Sequence, residues 1–187
     1  MLDAGKAAEA EAIARAALAA AEAALGAESI EAANLRRLAG DTLFDQKRYG
    51  DAEPFFRSAL ALREKLLGPD HLDTARSNGD LAANLKASGD YAGAEPYYRK
   101  ALAIRERVLG RDHADVIRSL WRLALVIDLQ KRLPEAVAMM REVVERGGTA
   151  FGPQDPLLAS ALVDLAAMQV DDGDVDVRIT GATREDA

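Results

Sequence analysis

Apolar residues recur along this chain every three or four positions, the spacing that lines one face of an α-helix, and short polar segments carrying glycine interrupt the runs. Leu120, Leu123, Ala124 and Ile127 form one such stripe. The same periodicity predicts helices over residues 28–46, 72–88, 113–130 and 155–172. Between them the chain repeats itself. Tyr49-Gly-Asp-Ala-Glu-Pro-Phe-Phe-Arg-Ser-Ala-Leu-Ala-Leu-Arg-Glu and Tyr91-Ala-Gly-Ala-Glu-Pro-Tyr-Tyr-Arg-Lys-Ala-Leu-Ala-Ile-Arg-Glu agree at most positions and lie 42 residues apart. The same step forward reaches Leu133-Pro-Glu-Ala-Val-Ala-Met-Met-Arg-Glu, and the step back reaches Ala7-Ala-Glu-Ala-Glu-Ala-Ile-Ala-Arg. Four copies of one helix therefore stand in register, each alternating with a helix of the first set.

The punctuation agrees with helix pairs. Leu67-Gly68-Pro69-Asp70-His71, Leu109-Gly110-Arg111-Asp112-His113 and Phe151-Gly152-Pro153-Gln154-Asp155 each place a helix-stopping glycine before polar N-cap candidates. Short turns such as Ser88-Gly89-Asp90 make the two helices of a pair antiparallel. Such a pair is too small to bury its own apolar face, so successive pairs must stack, and a constant small rotation per pair winds the stack into a superhelix with a concave side. Pro54 and Pro96 are expected near the first turn of their helices, where a missing N–H costs little. In Phe55-Phe56 and Tyr97-Tyr98, one ring is expected to point inward and the other to cover the adjacent helix.

Leu81-Ala82, Leu85, Gly89, Tyr91, Ala94, Tyr98 and Ala101 fall at the spacing of a tetratricopeptide repeat, with small residues where helices touch and large ones between. The 42-residue period and the Ala-Glu-Pro-Tyr-Tyr-Arg-Lys-Ala-Leu and Leu-Gly-x-Asp-His segments resemble the kinesin light chain type rather than the common form of about 34 residues. The resemblance runs over residues 7–172. It implies an all-α fold, a right-handed superhelical α-solenoid of antiparallel helix pairs, with peptide or protein segments bound in the concave groove. The array is expected over residues 1–172, about eight helices with incomplete repeats at both ends, followed by an acidic and polar tail over 173–187.

The chain also departs from the family. Asn78-Gly79-Asp80 stands where a leucine and paired asparagines are usual, which puts an amide at an expected core position and predicts looser packing there. Arg37, Gly79, Trp121 and Val163 occupy the concave position where the kinesin light chain type often has an asparagine that grips peptide backbone. Groove lining is implied for Asn34, Arg37, Arg76, Lys86, Arg118 and Trp121, which are offset from the packing stripes. Arginine forks suit carboxylates, and Trp121 suits an apolar anchor, so the expected partner is a protein or peptide, acidic in character. The alternative is an architectural module that self-associates, or stacks on a larger chain, through its incomplete terminal repeats.

Composition narrows the classes. A formal charge of −7 with no dense Lys and Arg cluster disfavours nucleic acid and anionic membrane as partners. With no cysteine there is no thiol chemistry, and no segment approaches the roughly 18 apolar residues of a membrane span, so a cytoplasmic protein is expected. His71 and His113 lie 42 residues apart at equivalent helix starts and do not converge on a metal. Asp172, Asp174 and Asp176 imitate the opening of a calcium loop, but Val177 and Thr183 stand where glycine and glutamate are needed. Neither a phosphate loop nor a catalytic triad can be assembled, so no enzyme activity and no cofactor are expected.

Overall fold

The computed structural model describes residues 4–152 and 154–171, and the acidic run from Asp172 together with the tail over 173–187 lies outside them. Among the described residues the chain forms α1 (Ala4–Leu25), α2 (Ile30–Asp45), α3 (Tyr49–Leu67), α4 (Leu72–Ala87), α5 (Tyr91–Leu109), α6 (Ala114–Leu129), α7 (Leu133–Phe151) and α8 (Pro156–Asp171). Each helix packs on the next, as a right-handed α-solenoid requires. The leading helices α2 and α4 pair with the trailing helices α3 and α5, and α6 pairs with α7. Helix α1 is of the trailing kind and α8 of the leading kind.

Local chemistry sets the ends. Ser29 caps α2 by accepting from the Ala32 N–H at 3.1 Å. His71 and His113 cap α4 and α6 by accepting through Nδ1 from the Asp73 and Asp115 N–H groups, both at 3.1 Å, which gives the two histidines a shared structural task. The turns inside the pairs close through N–H donors of Arg48, Asp90 and Arg132 to the carbonyls of Leu43, Leu85 and Ile127 at 3.0, 2.9 and 3.2 Å. The left-handed residue each turn needs is Gly89 in the middle pair but Lys47 (φ 60°) and Lys131 (φ 64°) in the other two.

Small residues meet where helices cross. Ala52, Ala94 and Ala136 on the trailing helices and Ala82 and Ala124 on the leading ones are wholly buried. Phe56, Tyr98 and Met140 fill the space between pairs, with Leu43, Leu81, Leu123 and Ile127 around them. Phe55 and Tyr97 are the outward partners, each under a guanidinium of the preceding trailing helix, Arg15 at 4.9 Å and Arg57 at 5.9 Å from the ring centres. Asn78 is buried as expected and donates to the Thr74 carbonyl at 2.9 Å, while its Oδ1 finds no partner. Pro54 and Pro96 sit deeper than expected. Helices α3 and α5 begin at Tyr49 and Tyr91, so each proline is the sixth residue, and its ring removes a bond to the carbonyl of Gly50 or Ala92. Both prolines are exposed, so water can satisfy the carbonyl that loses its donor.

No helix among the described residues is long and apolar enough to cross a membrane.

Candidate ligand groove

The residues that face inward from the leading helices do not repeat as the core does. Helix α2 contributes Arg37 and Asp41, α4 contributes Arg76 and Asp80, and α6 contributes Arg122, while Arg63 of α3 and Arg105 of α5 rise between them. Burial pushes the Asp80 carboxyl above its ordinary range, against the pull of Arg37, Arg76, Arg63 and Arg122. Burial does the same to Asp41, opposed first by Arg37, with Asp80 itself adding repulsion. The Asp80 Oδ2 is buried without a hydrogen-bond partner. These mutual influences place five guanidinium groups around two carboxylates.

Beneath the surface the arginines are held by neutral groups. Arg63 is 3% exposed and donates to Ser77 Oγ and to Asn34 Oδ1, the latter at 2.6 Å. Arg105 repeats half of that arrangement, donating to Ser119 Oγ at 2.7 Å. Burial lowers the proton affinity of both guanidinium groups. Among the described residues Arg63, Arg76, Arg105 and Arg122 form no ion pair, so four charges face the inner side without a carboxylate at contact distance. Gly79 leaves room above one of them, because a Cβ there would meet only the Arg105 guanidinium at 3.8 Å and 3.9 Å. An open cleft of about 520 Å³ runs past Arg76 and Arg105, bounded by Leu72, Leu109 and His113.

The six residues expected in the groove fare differently. Arg76 is exposed beside Asp80, and Arg37 is half-buried and paired with Asp41, so these two share the cluster. Asn34 serves Arg63. Arg118 is exposed and turned along its own helix to Asp115 at 3.0 Å. Lys86 is half-buried near the end of α4. Trp121 is half-buried against the core, and its Nε1 donates to Asp164 Oδ2 of α8 at 2.8 Å, which makes it a strut between leading helices. Reading the sequence for exposed offsets missed Arg63, Arg105, Asp80 and Arg122. The pairs Arg63 with Ser77 and Arg105 with Ser119 recur at the 42-residue step, and that was the available signal.

Among the described residues no cluster of His, Asp and Glu is placed to hold a metal ion. Stacked antiparallel helix pairs with a charged inner face and no assembled reaction centre define a helical-repeat scaffold. The family profile described as tetratricopeptide repeat matches residues 1–65, 32–107 and 73–147, and the chain belongs to that family. Solved structures agree on the fold. The putative kinesin light chain of Podosopora anserina, with nearly identical TPR-like repeats, superposes with a TM-score of 0.80 at 20% identity, over 90% of this chain and 80% of that one. BtubC (BKLC) from P. vanneervenii gives 0.78 at 21% identity, over 91% of this chain and 68% of that one. The apo form of RapI is more distant, at 0.55 and 17% identity, over 77% and 57% of the two chains. A comparison with curated protein sequences finds no match. Tetratricopeptide repeats mediate protein–protein interaction.

Proposed function

We propose that the inner face binds an acidic peptide or protein segment, with Arg76, Arg105 and Arg122 pairing its carboxylates and Arg37 supporting them at the edge. The observation that carries this reading is the set of guanidinium groups without carboxylate partners on one face of a chain whose formal charge is −7. Desolvated arginines of this kind gain most from a bidentate anionic partner, and the Gly79 gap lets backbone or a carboxylate approach Arg105. The role is one of binding and not of catalysis.

The test uses a fluorescein-labelled peptide rich in Asp and Glu, its Lys counterpart, and the variant carrying Arg76→Glu with Arg122→Glu. Wild-type protein should bind the acidic peptide in a salt-sensitive way, and the double reversal should weaken it by about tenfold or more, roughly 1.4 kcal/mol. Equal affinity of variant and wild type, or a preference for the basic peptide, would overturn the reading.

A further inference from the structure

The repeat supplies its own control for which surfaces are covered. Leu120 of α6 is 4% exposed, whereas Leu162, its equivalent 42 residues on in α8, is 47% exposed. Ala159 is likewise exposed where Ile117 is buried, and Ala166 is half-exposed where Ala124 is buried. These positions form one stripe along α8, and in α6 the same stripe lies in the interior of the array. What α8 lacks among the described residues is a trailing helix of its own.

Helix α1 shows the reciprocal deficit. Leu62 of α3 is 7% exposed and packs on Ala32 and Ala33 of its leading helix, with Leu18 beside it. The equivalent of Leu62 in α1 is Ala20, which is exposed. Phe55 is half-buried under Arg15, but its equivalent Ile13 is 62% exposed. Helix α1 lacks a leading helix beside it and the trailing helix before that. On α7, Arg141 holds the place that Arg15 and Arg57 hold over their rings.

We infer that the two ends are complementary halves of one interface, and that a second copy of this chain docks its α1 in the notch formed by α7 and α8. The pairing reproduces the contact between α6 and α7, with Ala20 against the Leu158 and Ala159 level of α8 and Ile13 beneath Arg141. It continues an interface the chain already makes within itself, with the same repeat length on both sides. Because the two surfaces differ, the association is head-to-tail and does not close on two copies. Its area is that of one helix in a notch, so assembly depends on protein concentration.

Sedimentation velocity of the full chain from about 1 μM to about 1 mM reads the outcome. Average mass should rise with concentration. Ile13→Glu and Leu162→Glu, each at an exposed site and each checked for helicity by circular dichroism, should be monomeric alone. Their equimolar mixture should form a dimer and nothing larger, since one variant keeps a free α8 end and the other a free α1 end. A strict monomer at all concentrations, as when other residues of the same chain cover α8, would overturn the inference. So would association surviving Ile13→Glu alone, the mark of a symmetric contact.

Discussion

Gly40 tests the packing rule of the array, because the equivalent position is Ala82 in the next pair and Ala124 in the one after. A Cβ on Gly40 would lie 2.9 Å from Phe56 Cε1, 3.0 Å from Cζ and 3.1 Å from Cδ1. Carbon atoms in good contact stand about 3.5–4.0 Å apart, so the ring must retreat by roughly half an ångström or more. It has little room, being 3% exposed and enclosed by the core. Replacing Gly by Ala inside a helix gains about 1 kcal/mol of propensity, while overpacking a tight core costs about 1–3 kcal/mol. Gly40→Ala should therefore destabilise the protein by about 1 kcal/mol. Where the array already has alanine, the facing side chain is Tyr98 or Met140. Phe56→Met copies the pairing of Ala124 with Met140, and in that background only the propensity gain should remain. A double-mutant cycle by urea unfolding should give a coupling of about 1–2 kcal/mol. Stabilisation by Gly40→Ala alone, or an equal cost with and without Phe56→Met, would refute the argument.

Two carboxylates should respond to pH with opposite sign. Asp80 has its pKa raised by burial, so its charged form costs stability that appears as pH rises from the ordinary 3.8 through the folded value. Asp80→Asn should accordingly stabilise the protein at pH 7 by about 1 kcal/mol, tighten the acidic peptide, and lose its stability advantage on acidification, as thermal melts across pH would record. Glu95 is the reverse. Burial raises its pKa, but hydrogen bonds from Gln130 and Arg99 and the charge of Arg132 outweigh it, so the folded value lies below the ordinary 4.5. Its contribution is full above about pH 4.5 and lost as pH falls through the folded value, so Glu95→Gln should cost about 1 kcal/mol at pH 7 and little in acid. Lys131→Gly removes a side chain from a left-handed position that Gly89 fills in the preceding turn, and should stabilise by about 1 kcal/mol in urea unfolding.

The helix starts at Leu72, Ala114 and Pro156 fall within a residue of those expected from apolar spacing and glycine punctuation, because a core repeated every 42 residues leaves the same stripe each time. The site was less legible. Helical offset placed Trp121 away from its own packing stripe, yet which neighbour covers that side depends on the next leading helix, where Asp164 waits. Arg63 and Arg105 lie inside the matched segments and read as exterior charge. Their guanidinium groups instead turn inward to serines of the following helix, a choice made across a helix pair rather than along one.

The contrast between core and groove bears on how a ligand would lie. Core positions repeat because each must fit the same neighbour in every pair; groove positions answer to something outside the chain. The column Leu38, Asp80, Arg122 and Asp164 changes character at every step, and so does Arg37, Gly79, Trp121 and Val163. A groove built this way has direction. Its free guanidinium groups cluster from α3 to α6, whereas the α8 end offers Val163, 68% exposed, next to the Trp121 strut. On the proposed reading, an acidic segment followed by an apolar residue fits with its carboxylates at Arg76, Arg105 and Arg122 and its apolar side chain toward Val163. The same segment reversed would set that side chain against the Arg37 and Asp41 pair, whose desolvation nothing would offset. Direction in the groove therefore follows from the failure of the surface to repeat, on a scaffold whose interior does.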